Sequence, residues 1–160
     1  MGWYVLHVKP RTEKKVSAVC ARHDIPHYLP LRESVRICQR RKVVSHIPLF
    51  PSYLFVALEP ESRLHVLRTN HILHMMESED EARLLHELEQ IRKVLAVNPR
   101  LHSDSRLAHG SLVRIKTGAF VGVEGHVETV GKKTSVRLNV ELVGQSVVVE
   151  VDRDFIETLA

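Results

Sequence analysis

Two short-spaced pairs of histidine and cysteine are the residues of this sequence that could bind a metal ion. Cys20 precedes His23 by three positions, and His71 precedes His74 by the same interval. Structural metal sites of this kind need a second matching pair, and neither pair has one. Both pairs also fall in segments whose apolar pattern predicts a helix or a strand. We therefore predict ordinary core or surface side chains here, with no metal site and no cofactor.

The sequence contains no recognisable catalytic or phosphate-binding motif. No glycine-rich loop stands before a predicted helix, so neither a P-loop nor a dinucleotide-binding turn is present. Serine, histidine and aspartate occur, but not in the setting of a nucleophile elbow. The sequence therefore predicts a protein that is not an enzyme.

A run of basic residues points to nucleic acid instead. Apolar residues alternate on either side of it, so residues 34–47 are predicted to form a β-hairpin with a basic tip. A solvated hairpin end is the plain alternative, but like charges at this density repel one another unless a polyanion is near. We predict that the hairpin contacts nucleic acid. The five cations of the run are Arg32, Arg36, Arg40, Arg41 and Lys42.

The overall composition fits a globular protein with an anionic partner. The formal net charge is +4 and the pI is near 9.3, an excess that is compatible with nucleic acid without requiring it. The two cysteines have no CxxC spacing, which favours a reducing compartment, and no apolar stretch is long enough to cross a membrane. We expect a cytoplasmic protein with no membrane partner.

The periodicity of the first hundred or so residues predicts an α+β fold. On the second predicted helix, Leu64 and Leu67 are expected to face inward. The order of elements predicts helices packed on a mostly antiparallel sheet, an α/β sandwich spanning residues 1–97. Strands are expected at 3–8, 27–31, 53–58 and 72–76. Helices are expected at 12–23, from residues 59–61 to about 69, and from a capping box of Ser78 and Glu81 to about 97.

The stretch from 47 to 58 is the part around which this domain is organised. Pro48 and Pro51 lack a backbone N–H and cannot lie inside a paired central strand, so they mark an extended approach to one. The apolar run that follows predicts a strand buried on both faces. The aromatic residues that cluster here, in a chain otherwise poor in them, are Phe50, Tyr53 and Phe55.

The character of the sequence changes after Asn98 and Pro99. Residues 98–109 are polar and aperiodic and are predicted to be a linker. Residues 110–160 contain most of the glycines and many valines, a composition that predicts a small all-β barrel with a core near the lower limit for independent stability. Its strands are expected at 112–116, 122–130, 135–140 and 146–151.

Several of these stretches resemble the NusG family of transcription factors. The first part of the chain is similar to the NusG N-terminal (NGN) domain, and Gly110 to Phe120, with Gly122 and Gly125, is similar to a KOW domain. The resemblance covers nearly the whole chain in the expected order. The NGN-like residues are Trp3-Tyr4, Glu13 and Val16, Pro48-Leu49-Phe50-Pro51 with Tyr53-Leu54-Phe55-Val56, and Leu67-Arg68-Thr69.

The resemblance implies a mechanism without catalysis. In that family the NGN domain binds the clamp of the largest RNA polymerase subunit through an apolar depression, and so favours the closed, pause-resistant state of the polymerase. The resemblance places this contact at His7, Phe50, Tyr53 and Phe55. It also implies that non-template DNA or nascent RNA is contacted by Lys9, Arg11, Arg36, Arg40, Arg41 and Lys42.

Within the family, the basic segment from Lys9 to Val16 is more similar to the specialised paralogs, including RfaH, LoaP and the UpxY regulators, than to the housekeeping factor. The resemblance therefore favours an operon-specific antiterminator. The alternatives are a general elongation factor and a ribosome-associated KOW RNA-binding protein. Partner contacts of the KOW domain are expected at Phe120, Leu142, Val143 and Gln145.

The last predicted hairpin of the KOW domain departs from the family pattern. Relatives have an aromatic residue and an arginine where this chain has Val143 and Gln145. Their absence argues against Rho binding and leaves contact with a ribosomal protein open.

Overall fold

An antiparallel four-stranded sheet forms the first part of the fold. The computed structural model describes residues 2–159, and in it the strand order is β2 (His27–Tyr28), β5 (Tyr53–Leu58), β1 (Gly2–Val8) and β6 (Ile72–Glu77). β1 pairs with β5 on one side and with β6 on the other, where the register shifts between His7 and Val8. β1 is thus a central strand, as its apolar sequence predicts.

Two helices pack against one face of this sheet. α1 (Glu13–Arg22) contributes the fully buried Val16 and Cys20, and α2 (Pro60–Leu67) contributes Val66. They form one apolar cluster with strand residues whose side chains point to the same face, because alternate residues of a strand share a face. These strand residues are Leu6, Val8, Leu54, Val56 and Leu58.

The predicted orientation of α2 is wrong. Leu64 and Leu67 are 54% and 44% exposed, whereas Val66 between them is fully buried. Successive residues of a helix are separated by about 100°, so a helix of two turns that buries Val66 must turn these neighbours towards solvent. Two leucines are too few to fix the buried side of so short a helix from sequence.

The predicted hairpin is confirmed and is longer than expected. β3 (Leu31–Cys38) and β4 (Arg41–Pro48) form a two-stranded sheet of their own. α3 (Glu81–Val97) is also present, and its buried residues recur at the spacing that predicts one helix face. They are Leu84, Leu88, Ile91 and Val94, together with Gln90.

A second antiparallel sheet, here called the C-terminal sheet, confirms the predicted all-β part and the α+β class. The four predicted strands are present, and two further short strands extend the sheet at its ends. Its hydrogen-bonded order runs from β12 to β7 and does not close into a ring within the described residues. The order is β12 (Ile156–Thr158), β8 (Leu112–Ile115), β9 (Glu124–Val130), β10 (Lys133–Val140), β11 (Gln145–Val151) and β7 (Ser103–Asp104).

Part of the segment predicted to be a linker is attached to this sheet. Ser103 and Asp104 form β7 and pair with Val147 and Ser146 of β11. The side-chain amide of Asn139 accepts a hydrogen bond from the N–H of Ala108 at 3.0 Å and donates one to the Ala108 carbonyl at 2.8 Å. These polar groups of residues 103–108 are therefore satisfied by the sheet and not by water.

A buried arginine completes this attachment. Arg137 of β10 is 4% exposed, and its guanidinium contacts Asp104 at 3.0 Å and Glu128 at 2.9 Å. It also donates to the hydroxyl of Ser146 at 2.9 Å, and that hydroxyl donates to the carbonyl of Arg106. One buried cation thus joins β9, β10, β11 and the segment before β8 through charge-assisted hydrogen bonds.

By its internal contacts the chain divides into two compact units, residues 1–31 with 48–82 and residues 32–47 with 83–160. The hairpin and most of α3 are grouped with the C-terminal sheet. From the sequence we predict domains at 1–97 and 110–160 and a linker at 98–109. Which of these parts fold independently stays a prediction. No helix in residues 2–159 is long and apolar enough to span a membrane.

Candidate functional site

A tight turn leads into β5 and sets the position of Tyr53. The backbone N–H of Tyr53 donates to the carbonyl of Phe50 at 3.1 Å, with Pro51 and Ser52 between them. Ser52 has a φ of 70°. Proline at the second position and a positive φ at the third are the pattern of a type II turn, in which the third residue is usually glycine or asparagine. Serine at this position is therefore strained, and other contacts must hold it there.

Two hydrogen bonds of Ser52 supply those contacts. Its N–H donates to the Oε2 atom of Glu13 at 2.8 Å, and its carbonyl accepts from the N–H of Val8 at 2.8 Å. Glu13 lies in the first turn of α1 and is buried, so its carboxylate is committed to the turn. The turn before β5 is thus fixed by both α1 and β1.

Tyr53 then forms an aromatic pair with His7. The two residues are opposite each other in the β1–β5 register, and their rings stack with centroids 4.8 Å apart and an interplanar angle of 16°. Both side chains are half-buried, so part of each ring faces solvent. On the other side of β1, the exposed His74 of β6 is opposite His7. His7 and Tyr53 form a preorganised aromatic surface, which we call the His7–Tyr53 surface.

The other two residues predicted for polymerase contact do not reach the surface. Phe50 and Phe55 are 1% and 0% exposed, and their rings pack edge to face with centroids 6.4 Å apart. In this conformation neither ring can touch a partner, and both belong to the buried core. Residue type alone could not separate the two roles, because aromatic residues serve both as core and as contact residues.

The two strands of the basic hairpin are joined by a two-residue turn. β3 ends at Cys38 and β4 begins at Arg41, and the two residues between them, Gln39 and Arg40, have φ values of 50° and 64°. Positive φ at both central residues defines the type I′ turn, whose twist matches that of paired strands and which favours Asn-Gly. An arginine placed there carries a conformational penalty of about 1–2 kcal/mol.

The cations at and near the hairpin tip are exposed, and within residues 2–159 they form no ion pair with an acidic residue. Glu33 is the acidic residue of β3, and it lies near His46 and Arg100, at 3.8 and 4.0 Å, on the part of the hairpin away from the tip. The exposed cations in question are Arg36, Arg40, Arg41 and Lys42.

Two further predicted cations, Lys9 and Arg11, lie in the loop between β1 and α1. Both are exposed, and Arg11 has a φ of 66°. The hydroxyl of Thr12 donates to the carbonyl of Lys9 at 2.6 Å, which fixes the loop. Neither cation forms an ion pair within the described part of the chain, so both are available to an anionic ligand.

Comparison with known proteins assigns this arrangement to a family. A family model described as "Transcription termination factor nusG" matches residues 1–95, more than half of the chain. The chain belongs to the NusG family. It is therefore a transcription factor of the class that acts on elongation and termination. A comparison with curated proteins gave no match to the chain.

A solved structure of a NusG protein has the same fold. The structure described as "Domain interaction in Thermotoga maritima NusG" aligns with a TM-score of 0.51 and 17% sequence identity. The alignment covers 99% of this chain and 97% of that one. At this identity the likeness concerns the fold, and it extends over the C-terminal sheet as well as the NusG-matched part.

The residues of the C-terminal sheet that are predicted to contact a partner protein are half-buried. Leu142, Val143 and Gln145 lie in or next to the turn between β10 and β11, and Phe120 precedes β9. Phe155 was not predicted from the sequence. It is partly exposed, and its ring lies 3.3 Å from the position that a Cβ on Gly118 would occupy. The available signal in the sequence was an aromatic residue four positions after the last predicted strand.

The candidate metal-binding residues of the sequence serve other purposes. Cys20 is buried in the core against the first sheet, where desolvation raises the pKa of its thiol to about 11. His23 instead stacks on His65 of α2. Within residues 2–159, no three or more histidine, cysteine, aspartate or glutamate side chains are grouped to hold a metal ion.

Proposed function

We propose that this NusG-family protein binds RNA polymerase through the His7–Tyr53 surface, and that its basic hairpin contacts nucleic acid exposed by the transcribing enzyme. The clamp of the largest subunit is the polymerase element involved, and non-template DNA or nascent RNA is the nucleic acid. Binding of both biases the polymerase towards its pause-resistant state, so the protein acts as an antiterminator. Within this class we favour an operon-specific factor, because Lys9 and Arg11 add a second basic element to that of the hairpin.

The observation that carries the proposal is the state of the hairpin cations. In the C-terminal sheet and the segment before β8, Arg106, Arg114 and Arg137 each have a carboxylate partner, whereas the cations at the hairpin tip have none among residues 2–159. One of them, Arg40, also occupies a backbone conformation that glycine would adopt without strain. Unpaired charge at a strained position is expected where the charge serves a ligand and not the fold.

Polymerase binding is tested by retention on immobilised core RNA polymerase. Tyr53→Ala removes one ring of the exposed pair, and we expect retention to fall at least about tenfold, as is usual for a central aromatic contact. Val130→Ala, an apolar truncation at an exposed position of the C-terminal sheet, is the matched control. Equal retention of both variants would show that the His7–Tyr53 surface does not bind RNA polymerase.

Nucleic-acid contact is tested by the salt dependence of binding to a single-stranded oligonucleotide. The triple variant Arg40→Gln, Arg41→Gln, Lys42→Gln should weaken binding and reduce the slope of log K against log[salt] by about 0.7 for each phosphate that the protein no longer neutralises. The control triple variant Lys132→Gln, Lys133→Gln, Arg153→Gln removes the same charge from an open cleft at the far turn of the C-terminal sheet. If the control variant binds less tightly and the hairpin variant does not, the KOW RNA-binding alternative replaces the proposal.

A further inference from the structure

Two histidines stack face to face where the ends of α1 and α2 meet. His23 directly follows α1 as its C-cap, and His65 lies in the last turn of α2. Their ring centroids are 3.8 Å apart and the rings are nearly parallel, at 14°. Neither residue belongs to the polymerase or nucleic-acid surfaces described above, and the first of them is one of the short-spaced histidines singled out in the sequence.

The stacked pair lines an open cleft of about 430 Å³. Among the described residues, every side chain of its lining that can carry a charge is basic, and none is acidic. The remaining lining residues are Val19, which is apolar, and Thr69, whose hydroxyl donates to the carbonyl of Val66. The basic residues of the lining are Arg22, His23, His65 and Arg68.

The fold itself accounts for only part of this arrangement. Basic residues in the last turn of a helix complement the negative end of its dipole, which explains each residue singly. It does not explain why four of them converge on one cleft. None of the four forms an ion pair in the part of the chain that the structure describes, and the acidic residues nearest in sequence, Asp24 and Glu61, do not line the cleft.

We propose that this cleft binds a phosphate group. Two guanidinium groups offer forked donors that match the oxygens of a phosphate, and each imidazole adds a donor and a positive charge when protonated. Binding therefore tightens as the pH falls through the range in which imidazoles titrate.

Sulfate is the first probe, because its charge does not change over the range tested. In calorimetric titrations of the full chain, we expect affinity at about pH 5.5 to exceed that at about pH 8 by at least about fivefold. The ring resonances of His23 and His65 should shift on titration. Arg68→Gln should weaken binding about tenfold at both pH values, Arg68→Lys should weaken it less, and His65→Gln should remove most of the pH dependence.

Lys116→Gln, which removes an exposed cation from the end of β8, is the control for net charge. The proposal is overturned if Arg68→Gln binds sulfate as Lys116→Gln does, or if wild-type affinity does not rise with falling pH. Inorganic phosphate and an oligothymidine then identify the source of the group. Weakening of both by Arg68→Gln supports a nucleic-acid backbone, and weakening of phosphate alone supports a small phosphorylated molecule. The hairpin triple variant should still bind sulfate, so this result does not depend on the proposed function.

Discussion

Glu13 and Ser52 are joined by a 2.8 Å hydrogen bond between a buried carboxylate and a backbone N–H that are 39 positions apart in sequence. This bond connects the first turn of α1 to the turn that presents Tyr53. From sequence alone, Glu13 stood out only as one of the residues that resemble the NGN domain. Its structural part is to hold a strained turn, on which the position of the His7–Tyr53 surface depends.

Replacing Glu13 with alanine should lower the free energy of unfolding by about 1–3 kcal/mol, because the Ser52 N–H is left without its acceptor in a partly buried setting. Urea denaturation followed by circular dichroism measures this. Glu13→Gln retains an acceptor oxygen and should have a smaller effect, and Lys14→Ala, at the exposed neighbouring position, should change stability by less than about 0.5 kcal/mol. Similar destabilisation by Glu13→Ala and Lys14→Ala would show that the turn does not need the carboxylate.

Arg137 should be the most sensitive polar position of the C-terminal sheet. Arg137→Ala leaves Asp104, Glu128 and Ser146 without their shared donor, and we expect a decrease in stability of about 2–4 kcal/mol, less than for a fully buried pair because Asp104 is half exposed. Lys133→Ala, which removes the exposed ion pair with Glu150, should cost less than about 1 kcal/mol. Thermal denaturation of the three proteins provides the comparison, and equal melting temperatures for both variants would contradict it.

The glycines of the C-terminal sheet should respond to alanine in two distinct ways. A Cβ on Gly125 would lie 2.7 Å from side-chain atoms of Leu138 and Val136, so Gly125→Ala requires the sheet to move. Gly131 has a φ of 62° with open space around it, so alanine there should cost only about 1 kcal/mol of backbone strain. Gly131→Asn should cost less than Gly131→Ala, because asparagine tolerates this conformation. Denaturation midpoints should therefore be lowest for Gly125→Ala.

The tip of the basic hairpin should be easy to stabilise at the expense of its charge. Gln39→Asn combined with Arg40→Gly introduces the pair that a type I′ turn prefers. We expect greater protection of the β3–β4 amides in hydrogen exchange, together with weaker binding to single-stranded oligonucleotide. Arg40→Asn alone, which removes the charge with a residue that accepts positive φ, separates the two effects. Unchanged oligonucleotide binding in both variants would exclude Arg40 from the contact.

Burial of Cys20 has a consequence for the dependence of stability on pH. Burial raises the pKa of this thiol in the folded state to about 11, above the ordinary value of about 8.5. The unfolded chain therefore releases this proton at a lower pH, and the contribution of Cys20 to stability is complete below about pH 8.5 and is lost as the pH rises to about 11. The stability difference between wild type and Cys20→Ala should shrink over this interval in urea denaturation.

Much of the fold could be predicted from local patterns. The strand 53–58, the hairpin around its basic tip and the helix that ends near Val97 each have the periodicity of their element, and the structure confirms all three. The two-residue strand β7 could not be predicted, because its partner in β11 is more than forty positions away and its own residues, Ser103 and Asp104, have no strand pattern. The buried role of Arg137 was hidden for the same reason.

The sequence predicted where the candidate site lies better than it predicted which residues form its surface. The proline-bracketed stretch correctly indicated the turn before β5, but burial of Phe50 and Phe55 depends on what packs around them, which no spacing rule reports. The His23–His65 stack likewise requires two helix ends to meet, and Cys20–His23 spacing pointed only to metal chemistry.

The attachment of residues 103–108 shortens the free reach of the chain after α3. A linker of residues 98–109 would allow its ends to separate by up to about 40 Å, whereas residues 98–102, the part of it that precedes β7, allow at most about 18 Å. To move the C-terminal sheet far from the end of α3, the chain must first separate β7 from β11. It must also break the contacts that Arg137 makes with Asp104 and that Asn139 makes with Ala108. The number of residues free to extend between α3 and the C-terminal sheet is thus set by a few side-chain contacts of the folded protein, and it cannot be read from the sequence alone.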